Sequence, residues 1–382
     1  MKVALVETVS PRHECVNKDF MGGYGWAFKV GDSLPARAIE WVKRWGERLP
    51  IMSFGYLAAI FARAGHEVCY TNGVVPDADL ALVYATMVDH GVDLAIARRY
   101  RAETRARVLF TGPFEGLVDS PDVKDLDRLP FPDWSCFPVH SYSYFPALRQ
   151  RPFLPVLSSR GCPYTCEYCP YEIIKWRPRS VDNVLDELAY LRARHGLRAF
   201  LFRDPIFTLS RRRVVDLVEG MMRRDYRFRW ACETRMDCLD VELLGLLRDA
   251  GLRVINVAVE SASEAVLKGV ARKPIPVEHQ ERILAACDRL GIRATVFYVL
   301  GFPEDTRESI EATIGYAKRL NSHVAQFFVY TPFPGTALYE RVKGDIAVDD
   351  WEKFDCYTPV VRHPLLAPEE ILRLKERAFV GY

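Results

Sequence analysis

Hydrophobic positions from residue 153 onward alternate between two periods. Short apolar runs at Phe153–Ser158, Ala199–Arg203, Arg229–Glu233, Val254–Val259, Thr295–Leu300 and Ala325–Tyr330 predict six strands. Between them, apolar residues at spacings of 3 and 4 predict helices over Val181–His195, Ser210–Arg223, Val241–Ala250, Val277–Leu290 and Arg307–Leu320. In the first of these, Val184, Leu185, Leu188 and Leu191 make one apolar stripe. Gly196, Gly251 and Gly291 each follow a helix, where a left-handed residue is needed. Six strands with five intervening helices predict an open parallel barrel, two strand–helix units short of a closed eight-fold one.

The first 150 residues are patterned more loosely. Strands are expected at Val3–Thr8, His66–Thr71, Asp79–Thr86 and Val108–Thr111, with helices at Phe54–Gly65 and over 92–103. That alternation predicts a Rossmann-like parallel sheet. The Gly-rich aromatic segment at 18–28 has neither period. No G-x-G-x-x-G follows the first strand, so the usual dinucleotide site is unsupported. After Gly112-Pro113 the alternation stops at a Pro-rich stretch, DLDRLPFPDW, and this sheet reads as truncated. The expected layout is a truncated domain at 1–120, a linker at 121–150, a barrel at 151–336 and a tail at 337–382. His66 and His90 read as ordinary surface or helix-end residues. The first domain is either a lid or a holder for a large cofactor.

The 382 residues suit two such domains, and 49% hydrophobic with 27% charged residues supports a sizeable core. Lys plus Arg (52) nearly balances Asp plus Glu (50), which argues against nucleic-acid or acidic-membrane partners. The start is too short and acidic for a signal peptide, and no apolar run reaches membrane-spanning length. Ten cysteines, most of them scattered, do not make a disulfide framework, so a reducing cytoplasm is expected.

Three of those cysteines change the picture. Cys162, Cys166 and Cys169 stand at C-x3-C-x2-C spacing in SSRGCPYTCEYCP, directly after the first barrel strand. Ligands of parallel α/β folds bind at the C-terminal strand ends. The other strand ends carry Arg203-Asp204, Glu233 to Asp237, Glu260 to Ser263, Gly301 to Glu304 and Pro332 to Thr336. Charged groups there need partners, which a plain run of turns does not supply. Three thiolates are one short of a four-cysteine set. They can hold three irons of a [4Fe–4S] cluster and leave the fourth open, as a catalytic zinc keeps one open position. Zinc completed by His140 or His195 is the rival, and a centre with a fourth cysteine such as Cys232 is another, although Cys232 and Cys238 read better as barrel-core and helix-entry residues.

This loop, set in a six-stranded partial barrel, resembles the radical S-adenosylmethionine superfamily. The resemblance covers roughly residues 150–336. It implies that Cys162, Cys166 and Cys169 ligate the cluster, and that the open iron takes the amine and carboxylate of S-adenosylmethionine. Reductive cleavage to a 5′-deoxyadenosyl radical and hydrogen abstraction would follow. It further implies Tyr168 at the adenine, Arg203-Asp204 at the methionyl amine and Arg235 at the carboxylate. Glu260, Ser261 and Ser263 fall at the ribose and carboxylate region, and Gly301-Phe302-Pro303 behind the adenine. Arg203-Asp204 replaces the usual Gly-Gly-Glu.

The set LPFPDW, WRPRS-VDNVLDEL, FRDPIFT, ETRMD, VESAS and TPFPGT is similar to the branch carrying an N-terminal cobalamin-binding domain. Many of its members methylate carbon or phosphorus. Here the domain ends after TGPF and would lose much of a cobalamin wall. The leading expectation is therefore radical dehydration, dehydrogenation or epimerisation of a small polar metabolite, such as a sugar or aminocyclitol of secondary metabolism, without cobalamin. A cobalamin-dependent methyltransferase is the alternative. An electron donor, whether flavodoxin, ferredoxin or a dedicated reductase, is expected as a partner. On the sixth strand either Gln326, Phe328 and Tyr330 or Phe327 and Val329 face inward, and Asp355 and Cys356 cap either the mouth or the bottom.

Overall fold

The structure is a computed structural model that describes residues 1–8, 16–17, 24–25, 29–43, 46–112, 123–145 and 147–382. Nearly all of the 18–28 segment, and the residues after Gly112 where the first sheet was expected to end, lie outside the described residues.

The first sheet contains β1 (Lys2–Val6), β2 (Glu67–Thr71), β3 (Leu80–Tyr84) and β4 (Arg107–Thr111), all parallel, in the order β2-β1-β3-β4. Helices α2 (Met52–Arg63) and α3 (His90–Glu103) make the crossovers, and α1 (Leu34–Lys43) precedes them. Chain order reverses beside β1, so β1 and β3 flank the crevice where such sheets hold ligands. The opening run VALV is fully buried because both sheet faces are covered.

The second sheet is the barrel: β5 (Phe153–Val156), β6 (Ala199–Phe202), β7 (Arg229–Glu233), β8 (Leu252–Glu260), β9 (Arg293–Leu300) and β10 (Val324–Val329). All neighbours pair in parallel, in the order β10-β9-β8-β7-β6-β5. Helices α4 (Val181–His195), α5 (Arg211–Arg223), α6 (Val241–Asp249), α7 (Glu264–Gly269), α8 (Val277–Leu290) and α9 (Arg307–Leu320) cross between them. The chain is thus an α/β protein: a six-stranded partial TIM barrel behind a short Rossmann-like sheet.

Two regions add to the pattern reading. Within the expected linker at 121–150, Leu126, Trp134, Phe137, Tyr142, Tyr144 and Leu148 are all buried. The Tyr144 hydroxyl accepts from Asn256 Nδ2 on β8 at 2.7 Å. Gly55 of α2 lies so close to Trp134 that a Cβ there would meet the ring at 2.7 Å. The tail also has structure, with α10 (Ala337–Val342) and α11 (Pro368–Gly381). Helix α11 buries Ile371, Leu374, Ala378 and Phe379, the last of which sits edge-on to Phe327 of β10. An open barrel leaves its last strand uncovered, and α11 covers it. Among the described residues no helix is long and apolar enough to cross a membrane.

Candidate active site

The cysteine loop is tied down on several sides. After β5, Ser159–Arg160 pairs antiparallel with Arg177–Pro178. Gly161 follows at φ +82°, and a Cβ there would come within 2.2 Å of the Lys175 carbonyl oxygen, so only glycine fits. The Cys162 amide donates to Ile174 O at 3.0 Å, and the Cys169 amide to Cys166 O at 2.9 Å. Glu167 donates to Val270 O just after α7, and Leu338 of α10 donates to Glu167 O. All three thiols are free, and Cys166 is 6% exposed. Burial pushes the Cys162 thiol up, and that of Cys169 to about 12. Ligation requires thiolates, so a metal centre must displace protons that the bare loop holds tightly.

Asp204, fully buried after β6, accepts from Ser158 N (2.8 Å), Ser158 Oγ (2.6 Å) and Ser159 Oγ (2.5 Å). Burial raises this carboxyl, and the serine hydrogen bonds oppose the rise. Arg213 donates to Ser158 O at 2.6 Å, and Arg179, ion-paired with Glu187, donates to Leu157 O at 2.7 Å. Asp204 is therefore a bracket that fastens the entrance of the loop. Arg203 turns to Glu233, donating to Oε1 at 2.6 Å. The resemblance implies a methionyl-amine role for both, and in this structure both are engaged by protein groups.

A second chain of contacts runs across the barrel mouth. The Tyr168 hydroxyl donates to Glu260 Oε1 at 2.8 Å. Glu260 ends β8 beyond a register shift, at φ +67°, a conformation costly for a residue with a Cβ. Arg272 is 8% exposed. Its Nη2 lies 3.7 Å from Glu260 Oε1, and its Nη1 lies 4.0 Å from Cys166 Sγ. The preceding Ala271 also has positive φ, at +52°. Arg272 was missed by sequence reasoning: it follows a six-residue helix in ARKP, where no period singles it out. The Tyr168 ring meets Phe302 edge-on at 5.1 Å. Gly301, at φ +82°, and Phe302 donate their amides to Asp305 Oδ2 at 2.9 and 3.0 Å.

Arg235 is 4% exposed, forks onto Asp237 at 2.9 and 3.0 Å and stacks 4.2 Å from the Tyr164 ring centre. Its buried Nη1 has no partner, which leaves a donor for a ligand. Ser261 and Ser263 shape the turn instead. Ser261 Oγ accepts from Ser263 N at 3.1 Å, and Ser263 Oγ caps α7. Phe327 packs on Phe379 of α11 outside the barrel, so the alternating Gln326 and Phe328 lie on the opposite face of β10. The Cys356 carbonyl accepts from Val329 N at 2.7 Å, which puts the Asp355–Cys356 turn on the mouth side.

Among the described residues no three His, Cys, Asp or Glu side chains converge tightly enough for one metal ion, as zinc would require. A [4Fe–4S] cluster takes one thiolate per iron and needs no such convergence. His140 is exposed, and Cys232 is buried in the core. The donor set therefore fits the cluster.

In the crevice between β1 and β3, Asp93 is fully buried and takes hydrogen bonds from the Thr8 hydroxyl and from Thr86 N. The Thr86 hydroxyl is buried without a partner. An orphan donor of this kind suits a ligand amide.

Comparison with known proteins agrees with this geometry. Residues 156–317 match the radical SAM superfamily. The chain is 28% identical over 267 residues to an uncharacterised methyltransferase of Pyrococcus horikoshii, covering 69% of this chain and 57% of that one. It is 30% identical to the anaerobic magnesium-protoporphyrin IX monomethyl ester cyclase of Rubrivivax gelatinosus, covering 66% and 45%. The chain thus spans about half the length of these relatives. Among solved structures, the methyltransferase TsrM of Kitasatospora setae, with cobalamin and a [4Fe–4S] cluster bound, superposes with a TM-score of 0.65. The identity is 18%, and the match covers 99% of this chain and 81% of that one.

Residues 156–317 are thus a radical SAM domain, and such a domain implies a [4Fe–4S] cluster and S-adenosylmethionine. The two-sheet fold is similar to that of TsrM.

Proposed function

We propose that the protein is a cobalamin-dependent methyltransferase. The observation that carries this reading is the four-stranded sheet in front of the barrel, with an unpartnered Thr86 hydroxyl in its ligand crevice. The methyltransferase and cyclase names of the relatives, and the cobalamin-bound neighbour that matches 99% of the chain, support it further. Dehydration, dehydrogenation or epimerisation without cobalamin, the leading expectation from the sequence, has less support.

When bound, the cluster supplies the electron that cleaves S-adenosylmethionine, and cobalamin supplies a methyl carrier. Cys162, Cys166 and Cys169 would hold the cluster. Arg272 sits between the Cys166 thiol and Glu260, where its fork can hold a carboxylate laid against the cluster. The orphan Nη1 of Arg235 offers a second donor on the Tyr164 side. Tyr168, fixed by Glu260 and backed by Phe302, presents a ring face for the adenine. The unpartnered Thr86 hydroxyl would face the cobalamin end.

The test is anaerobic reconstitution with iron, sulfide and cobalamin, followed by iron and cobalt analysis and product assay with S-adenosylmethionine and a reductant. Near-stoichiometric cobalt, with S-adenosylhomocysteine formed beside any 5′-deoxyadenosine, is expected. Cobalt-free protein that turns over at the full rate overturns the methyltransferase reading.

A further inference from the structure

The inner face of the barrel carries a buried acceptor that the site chemistry leaves unused. Register sets Glu233 beside Asn256 and Asn256 beside Thr295, while Ala258 stands beside Phe297 and Phe297 beside Gln326. Neighbours in a parallel sheet share a face, and so do alternate residues of one strand. These side chains therefore lie with Phe328 on the face turned away from α11. Asn256 is 1% exposed, and its Oδ1 has no hydrogen-bond partner among the described residues. Its Nδ2 donates to the Tyr144 hydroxyl. Burial raises the Glu233 carboxyl, and Arg203 and a hydrogen bond from Asn256 oppose the rise. A carboxylate only accepts, so it keeps Nδ2 on its own side and turns Oδ1 away. An acceptor buried this deeply is costly to leave unmet, and a ligand donor would satisfy it.

The surroundings decide which donor fits. Phe297 and Phe328 stand edge to face on the same side of the sheet, with ring centres 5.7 Å apart. Phe328 meets Tyr357 edge-on at 5.6 Å. Phe200, Phe202 and Phe327 on other strand positions are fully buried, whereas Phe297 and Phe328 are only half-buried, so these two rings border open space. Such rings offer a surface to a flat partner. The charges at this level, Arg203 and Glu233, already pair at 2.6 Å, and a charged ligand would enter without a counter-ion. A ligand hydroxyl would bring an acceptor of its own, while the nearby Nδ2 and guanidinium are engaged; a ring N–H brings a donor alone. We propose that this face binds the substrate as a flat, uncharged ring bearing one N–H, with Asn256 Oδ1 as its acceptor and Phe297 and Phe328 as its wall. The inference deepens the methyltransferase reading by naming its substrate class, and it rests on the barrel mouth being the reaction site.

The experiment is a fluorine NMR titration of the anaerobically reconstituted full chain with S-adenosylmethionine present. The probes are 5-fluoroindole, 5-fluorobenzofuran, which keeps the shape and replaces the N–H by oxygen, and 4-fluorobenzylamine, which is charged. The unmodified chain should bind 5-fluoroindole about tenfold more tightly than 5-fluorobenzofuran, and more tightly than the amine. Asn256→Leu should bring indole and benzofuran within about twofold of each other. Tyr144→Phe disturbs the same hydrogen-bond group but leaves Oδ1 in place, and it should keep the preference. Phe328→Leu should weaken both probes alike. Equal affinity for indole and benzofuran in the unmodified chain overturns the proposal, because water then serves Oδ1; this comparison stands even if Asn256→Leu does not fold. Preference for the amine overturns it too, as does a preference for indole that survives Asn256→Leu. Cobalt content of the same samples judges the methyltransferase reading separately: cobalt-free protein that still prefers indole defeats that reading and supports this one.

Discussion

The Tyr168 hydroxyl donates to Glu260 Oε1 at 2.8 Å, joining the residue before the last cluster cysteine to the strained end of β8. Loop and strand are thereby set in one register, and Arg272 reaches both. Removing the hydroxyl leaves the ring in place and tests the link alone. Tyr168→Phe should weaken S-adenosylmethionine binding about tenfold, or about 1.4 kcal/mol, and Glu260→Ala should weaken it more. Iron content should stay at the wild-type level in both. Equilibrium titration with S-adenosylmethionine decides the point, and an unchanged affinity in Tyr168→Phe would count against this link.

Each of Cys162→Ser, Cys166→Ser and Cys169→Ser should abolish stable cluster binding, whereas Cys232→Ser should retain it. Cys232 is fully buried among apolar residues, and burial holds its thiol well above the ordinary range. Iron and sulfide analysis after anaerobic desalting reads this directly. Loss of iron in Cys232→Ser with normal folding would revive a four-cysteine centre.

Asp204→Asn replaces an acceptor-only group with one that must present an amide to two serine hydroxyls and an amide N–H. About 2–3 kcal/mol of stability should be lost, and the loop should load less iron because its entrance is no longer fastened. Denaturant unfolding of the apo protein gives the first quantity, and reconstitution yield gives the second.

Asp305 clamps the Gly301-Phe302 turn, and burial raises its carboxyl from the ordinary 3.8 to about 6. The folded state therefore binds the proton more tightly than the unfolded chain. This contribution to stability is fully present below about 4 and is lost as pH rises through about 6, with a span of about 3 kcal/mol. Asp305→Asn should flatten the stability profile of the apo protein between pH 4 and 6, measured by denaturant unfolding at each pH.

Lys43 has the opposite sign. Its ammonium is buried 4.3 Å from the Phe379 ring centre, and burial, with Lys375 nearby, lowers it from 10.5 to about 7. The favourable contribution is fully present above 10.5 and is lost as pH falls toward 7. Lys43→Met should therefore raise stability at pH 7 by a few kcal/mol, about the cost of burying a charge here, and remove the rise between pH 7 and 10. Thermal unfolding across that range would show a persistent slope in Lys43→Met if another group were responsible.

Much of the barrel is legible in the chain because its signals are local. Helices Val181–His195 and Val277–Leu290 begin and end where the apolar stripe and the trailing Gly196 or Gly291 place them. Helix α11 carries an equally regular stripe, Ile371, Leu374, Ala378 and Phe379, but the uncovered edge of β10 that it packs on is visible only in three dimensions. Arg203 and Asp204 show the limit of position-by-position inference. A strand-end pair of charges marks a site, but it does not say whether the charges face a ligand or the protein.

The sequence by itself brought the three cysteines together, because Cys162, Cys166 and Cys169 lie within one short segment. It also determined the alternation of strands and helices, since periodicity is a property of neighbours in the chain. Tertiary structure alone decided which charges meet. Arg272 lies 106 residues beyond Cys166, and its guanidinium reaches that thiol because the mouth of an open barrel gathers the ends of distant strands. Tertiary structure also decided that Asp204 is a bracket, and that the Pro-rich stretch is a wall whose Tyr144 reaches into β8. Burial and hydrogen-bond closure are settled across the fold, and no local period encodes them.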